Sequence, residues 1–402
     1  MRRLHLALIV ILLLLEFFIR VHNPTRQEAY LDEGFHLKRA EVVYDLDEHP
    51  ARESHGKLGL YFWLGLFQPK PPIALPVGRM GISIFALITG AAIYAVGRQL
   101  YNAATGLVAL GLYCFIPLAF FYEGMAMADP ITAGLAALIV WRSVILAQRP
   151  RWREGVGVGV LLALATITKL NMGLLPFIPV VAILLYGSFK GRTLLEQLKQ
   201  WIKTYGVLLS VAAVTMVGVW LPIAIPALIA DQQGDPFNLV DSFNVSEDKD
   251  DPRTPEKYWR EFYPLAEEML SPALFMIVGA ALVYLVVPLH GWADVKAGLM
   301  LWVWMIVLVG VLPYFVGRLI TMRYFMAAAP PVAVIVGRLI TSLQEWKIRW
   351  LRWAGRAAAT AGVGAWLVAY AVPFAVTSWN QPDELPFERG KKRILRSISA
   401  GF

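Results

Sequence analysis

The chain has 402 residues, of which 57% are hydrophobic and 16% charged, with a mean hydropathy of +0.56. That apolar surplus exceeds what one water-soluble core can bury, and several apolar runs approach the roughly 20 residues needed to cross a bilayer. A cytosolic enzyme, a disordered regulator and a disulfide scaffold are excluded; the lone Cys114, inside an apolar run, is a small buried hydrophobe. The net charge of +8 is read as topology, since Lys and Arg mark cytoplasmic loops, and not as affinity for nucleic acid.

The first element is an uncleaved transmembrane helix, Leu4 to about Val21, basic end inside. Within it Glu16 and Arg20 stand at i,i+4 and are expected to pair. Further spans are predicted at 76–97, 106–122, 130–148, 204–229, 271–289, 297–316, 324–341 and 355–377. The apolar stretch Leu58–Phe67 reaches only about 15 Å as a helix and is stopped by Pro69, Pro71 and Pro72, so it is expected as a half-buried or re-entrant segment at the outer face. Gly155–Gly187 is too long for one span and is split into two short helices turning near Lys169-Leu170-Asn171. The sum is an all-α polytopic bundle of about eleven spans. Its module covers 1–377, with outer loops at about 23–57 and 230–270 that hold short helices, and a tail over 378–402. Loops placed inside carry Arg149, Arg151, Arg153, Lys199, Lys203, Arg349 and Arg352; the long outer loops carry Asp32, Glu33, Asp45, Asp47, Asp248 and Asp250. The tail, with Arg389, Lys391, Lys392 and Arg393, breaks the pattern: either it lies on anionic headgroups or the span count is off by one.

Candidate chemistry gathers at the outer ends. Asp32-Glu33 follow the first span and can serve as base and cation ligand, with His36 sharing a helical face with Asp32; the bland alternative is a solvated acidic loop. Lys57, after His55-Gly56, sits at headgroup level, as a phosphate ligand or a snorkelling lysine. Glu123 and Asp129 occupy a short turn, where Asp129 with Pro130 behind it suits a helix cap. Lys169 lies at the hairpin tip, where an ionisable group at membrane depth is functional by default but can also reach the interface. Arg318 and Arg323 stand outside against the charge bias and suit a phosphate, or anchor to headgroups. Arg79 anchors or joins that group. No P-loop, GxSxG, HExxH or CxxC is present.

The ordered set resembles the membrane-embedded GT-C glycosyltransferases, in particular bacterial relatives of the dolichyl-phosphate-mannose–protein mannosyltransferases and the lipid A aminoarabinose transferases. The residues that carry it are Asp32-Glu33, His55-Gly56-Lys57, Gly78-Arg79 through Gly97-Arg98, Asp129, Thr168-Lys169 and Arg323-Tyr324. One departure is Gly56-Lys57 where the family has Pro-Pro. The resemblance implies an inverting sugar transfer at the outer face of a bacterial inner membrane. The donor would be a polyprenyl-phosphate sugar, and the acceptor a lipid, glycan or protein. Asp32 would be the general base. Glu33 and Asp129 would shape the acceptor site or, with Asp32, bind a divalent cation such as Mg or Mn. Lys57, Lys169, Arg318 and Arg323 would hold the donor phosphate, and His36, His55, Glu123 and Tyr324 would be acceptor-side or secondary residues. Membrane lipids are the remaining partners. A transporter or flippase would instead need ionisable groups near mid-membrane, and a non-catalytic scaffold of the same fold would not depend on Asp32.

Overall fold

The computed structural model describes residues 2–25, 29, 32–45, 57–188, 193–232, 279, 291–311, 322–343, 345 and 349–380. Among them there is no strand. The predicted span 271–289 (Gly279 apart), most of the loop 230–270 and the tail beyond residue 380 lie outside the described residues.

Helix α1 (Arg2–Val21) leads through a short turn to α2 (Glu33–Val42) and α3 (Leu58–Gly65). Then come α4 (Ala74–Leu100), α5 (Ala103–Tyr113), α6 (Pro117–Tyr122), α7 (Ala128–Gln148), α8 (Trp152–Thr168) and α9 (Phe177–Tyr186). The remainder is α10 (Leu194–Trp201), α11 (Val207–Gln232), α12 (Trp292–Met305), α13 (Ala329–Ser342), α14 (Arg349–Trp366) and α15 (Val372–Asn380). Six helical stretches among the described residues are long and apolar enough to cross a membrane: Arg3–Val21, Ala74–Leu100, Ala128–Gln148, Leu194–Ile223, Phe325–Ser342 and Arg349–Ser378.

Burial orders these helices from centre to rim. The windows in Ala128–Gln148 and Phe325–Ser342 are 78% and 89% buried, whereas that in Arg3–Val21 is 11% buried. α7 can occupy the centre because Ala133, Gly134, Ala136 and Ala137 let neighbours approach closely. It packs on α4, α8 and α9, while α5 packs on α4 and α13, and α8 on α11. Where α4 crosses α5 the backbones nearly touch: a Cβ on Gly106 would lie 2.5 Å from the Tyr94 carbonyl oxygen. α1, at the rim, turns Leu4, Ile11, Leu14 and Phe18 outward.

The short segment expected over Leu58–Phe67 is the eight-residue α3, about 12 Å long. The split of Gly155–Gly187 holds too: α8 ends at Thr168, a 3-10 turn covers Leu170–Leu174, and α9 follows. Two expectations are corrected together. The span expected over 106–122 breaks after Tyr113, and Pro117, which lacks an N–H, opens α6. The break frees carbonyls in an apolar setting, where unpaired backbone is costly. Arg20 supplies the donors, with Nη1 to Cys114 O at 2.5 Å and Nη2 to Tyr113 O at 3.4 Å. Its Nε meets Glu123 at 3.0 Å, so the expected Glu16–Arg20 pair gives way to Arg20–Glu123. Glu16 is buried and has no hydrogen-bond partner among the described residues, against the space left open by Gly90.

At the far end of the bundle Arg338 of α13 ties Asp294 to Glu345 and lies over the Tyr101 ring. The near end, where α2, α3, the α6–α7 turn, the α8–α9 turn and the 3-10 turn Met322–Ala328 converge, holds the candidate site.

Candidate active site

Glu33 is the first residue of α2, and its carboxylate is buried. Arg79 of α4 grips it twice, Nε to Oε1 at 2.9 Å and Nη2 to Oε2 at 2.6 Å, and the Ala126 N–H donates to Oε1 at 2.7 Å. Arg79 also donates to Pro24 O at 2.6 Å. This bidentate pair fastens the start of α2 and the exit of α1 to α4. Arg79 is only 2% exposed, which removes the headgroup-anchor alternative, and Glu33 faces the α6–α7 turn.

Asp32 stands at the cap position of α2 but caps nothing with its side chain. Its Oδ2 accepts from Arg323 Nη1, in the 3-10 turn. Asp32 Oδ1 has no hydrogen-bond partner among the described residues, and the side chain is 27% exposed. Burial pushes the Asp32 carboxyl up, but the charge and hydrogen bond of Arg323, with Lys57 beyond, outweigh it and hold its pKa below the ordinary aspartate value.

Asp129 falls in the first turn of α7, whose cap is Met127, so it is not the helix cap expected. Its Oδ1 accepts from Lys169 Nζ at 2.5 Å, across the α8–α9 turn. Lys57 comes just before α3, which lies against the end of α8: Thr168 Oγ1 sits 2.3 Å from where a Cβ on Gly59 would be. This places Lys57 close enough to feel the charges of Asp32, Lys169, Arg323 and Asp129. Burial first, then the repulsion of Lys169 and Arg323, hold the Lys57 ammonium below the usual lysine value. Among the described residues its hydrogen-bond partner is His36 Nε2, at 3.5 Å. Burial, reinforced by Lys57, pushes the His36 imidazole down to about 3, so it is neutral.

Six of the sequence-derived residues thus come together: Asp32, His36, Lys57, Asp129, Lys169 and Arg323. Three cations, two carboxylates and a neutral imidazole leave one positive charge in excess. Glu123 is elsewhere, buried on Arg20 and accepting from Tyr113 Oη at 2.7 Å. His55 and Arg318 lie outside the described residues, as does the side chain of Tyr324. Tyr61 and Arg39, absent from the sequence reading, adjoin the cluster through His36. Tyr61 hides in an apolar run, and no spacing signal marks it.

The donor set does not suit a divalent cation. Asp32, Glu33 and Asp129 each face a basic side chain, and among the described residues no three metal-binding side chains converge.

Residues 76–220 match the family model of the dolichyl-phosphate-mannose-protein mannosyltransferases. The fold is similar to the archaeal oligosaccharyltransferase AglB of Archaeoglobus fulgidus, solved with an inhibitory peptide and a dolichol-phosphate, at 13% identity and TM-score 0.59 over 94% of this chain and 56% of that one. It is also similar to ArnT of Cupriavidus metallidurans bound to undecaprenyl phosphate, at 15% identity and TM-score 0.59 over 92% of this chain and 69% of that one. A further structure of the Archaeoglobus enzyme, in complex with Zn and sulfate, matches at 11% identity and TM-score 0.55 over 93% of this chain and 52% of that one. This chain therefore spans little more than half the length of the oligosaccharyltransferase. Comparison with curated protein sequences finds no match. The chain is an all-α integral membrane protein with the GT-C fold, resembling PMT-like membrane glycosyltransferases.

Proposed function

We propose that this protein is a glycosyltransferase that moves a sugar from a polyprenyl-phosphate donor to an acceptor hydroxyl, with inversion, at the outer face of a bacterial inner membrane. One observation carries the reading. Lys57, a cation whose hydrogen-bond partner among the described residues is a neutral imidazole, feels the charge of Asp32, a partly exposed carboxylate whose Oδ1 has no hydrogen-bond partner among the described residues. A phosphodiester donor brings one negative charge, and the cluster has one positive charge to meet it.

In the reaction the acceptor O–H gives its proton to Asp32 Oδ1. The acceptor oxygen attacks the anomeric carbon, and the bond from that carbon to the phosphate oxygen breaks. The bonding pair leaves with the phosphate as polyprenyl phosphate, whose second negative charge Lys57 meets as it develops. Arg323 keeps Asp32 ionised and fixes its other oxygen. The Lys169–Asp129 pair forms the facing wall, and Lys169 adds to the field at the phosphate. Glu33 and Arg79 act by placing Asp32. No step runs through a metal.

Convergence of the charges in one cluster at the ends of α2, α3, α7 and α8 supports a surface reaction over a conduction path. The test is label transfer in proteoliposomes given a panel of radiolabelled polyprenyl-phosphate sugars. Transfer or slow hydrolysis from one donor, lost in Asp32→Asn, supports the reading. No turnover of any donor by protein that still binds them excludes it.

A further inference from the structure

An ammonium has three N–H donors and no lone pair, and a guanidinium likewise only donates. These two facts fix the direction of a buried chain that ends at Lys57. Lys57 Nζ lies 3.5 Å from His36 Nε2; a charged Lys57 can only donate there, which makes Nε2 the acceptor and calls for the imidazole proton on Nδ1. Nδ1 faces the Tyr61 hydroxyl oxygen at 3.4 Å. The same oxygen takes a hydrogen bond from Arg39 Nη1 at 3.3 Å. Packing holds the chain in place: Tyr61 is 1% exposed, its ring lies 5.7 Å from that of His36, and the Arg39 guanidinium lies 5.9 Å over it.

We infer that His36, Tyr61 and Arg39 are positioning residues that aim the Lys57 ammonium at the donor phosphate without neutralising it. The inference rests on the phosphate-binding role proposed above for Lys57. The other two cations of the cluster contact carboxylates, Lys169 on Asp129 and Arg323 on Asp32. A carboxylate at position 36 would cancel the remaining charge. An imidazole instead takes one N–H of Lys57 and leaves its full charge, with two N–H groups to direct. The charged groups facing the ring are Asp32, Lys57, Arg323 and Asp129. Burial and the adjacent ammonium keep the imidazole neutral, as its role as acceptor requires.

The experiment compares His36→Gln with His36→Asn in the full chain, in nanodiscs, by affinity for undecaprenyl phosphate. A glutamine amide reaches the place of Nε2 and can accept from Lys57, whereas an asparagine amide reaches only the place of Nδ1. His36→Asn should weaken binding about tenfold, the worth of one hydrogen bond to a charged group, and His36→Gln should restore most of it. Tyr61→Phe should fall between them. A merely structural histidine would make the Asn and Gln variants alike, and that result overturns the inference. Nitrogen-15 NMR of the imidazole, assigned by difference with His36→Gln, reads the same point without any lipid. The Nδ1–H tautomer at neutral pH is expected; an Nε2–H tautomer or an imidazolium refutes the relay even if donor binding is intact. Wild type that shows the Nδ1–H tautomer but no affinity for undecaprenyl phosphate removes the role proposed for Lys57, and this inference with it.

Discussion

Replacing Glu33 by Leu should destabilise the protein severely, and replacing Arg79 by Met as well should bring much of that stability back. The structure sets the magnitude. Glu33 is fully buried and Arg79 is 2% exposed. Removing the carboxylate abolishes contacts of 2.9, 2.6 and 2.7 Å and leaves a buried guanidinium, still bonded to Pro24 O, without its counter-charge. Breaking one side of a buried ion pair costs about 3–5 kcal/mol, whereas replacing both partners by apolar groups of similar size is often near neutral. Recovery in the double variant should be incomplete, because the Ala126 N–H loses its acceptor, worth about 1–3 kcal/mol. At about 2 °C per kcal/mol, the single variant should lose on the order of 5–10 °C. Thermal unfolding of the detergent-solubilised chain, followed by size-exclusion chromatography, reads this shift. Single variants within 2 °C of wild type, by the same scaling, or a double variant as unstable as the sum of the two, would refute the assignment of this pair as the clasp that places Asp32.

Three further outcomes follow from the same geometry. Because Arg323 lowers the Asp32 pKa, activity should hold as pH falls through the ordinary carboxylate range and fail only below it; Arg323→Met should move that acid limb of kcat/KM to higher pH, and an unmoved limb would show that another group sets it. Lys57→Ala should weaken undecaprenyl phosphate binding by roughly 10- to 100-fold, the worth of a charged hydrogen bond with its Coulomb attraction, while leaving thermal stability near wild type, since no carboxylate is stranded. Gly106→Ala should cost roughly 1–3 kcal/mol, because the new methyl would lie 2.5 Å from the Tyr94 carbonyl oxygen and 3.1 Å from the Arg98 backbone nitrogen; unchanged melting would mean that α4 and α5 are not so closely apposed.

Local rules reached some features and not others. The short α3 and the α8–α9 hairpin were legible because length against bilayer thickness admits few alternatives. The break at Pro117 was not, because hydropathy runs unbroken across residues 106–122 and the compensating donor, Arg20, lies almost a hundred residues earlier. The charged residues that converge were legible one by one as ionisable groups at span ends. Their pairing was not. Glu33 and Asp32 are adjacent in sequence and identical in pattern, yet tertiary contacts send one to buried Arg79 and the other to partly buried Arg323. Glu16 and Arg20 show the same limit: helical spacing proposes a pair, and the need to satisfy freed carbonyls at Tyr113 and Cys114 draws the arginine elsewhere.

The central claim is that Asp32 drives cleavage of the bond between sugar and lipid phosphate. Phosphorus-31 NMR of proteoliposomes loaded with the donor that supports label transfer observes that bond directly. The account predicts conversion of the phosphodiester resonance to a phosphomonoester one by wild type, in step with sugar transfer, and its loss in Asp32→Asn protein that remains folded. Equal conversion by wild type and Asp32→Asn, or an intact phosphodiester in the presence of both wild type and acceptor, would contradict it.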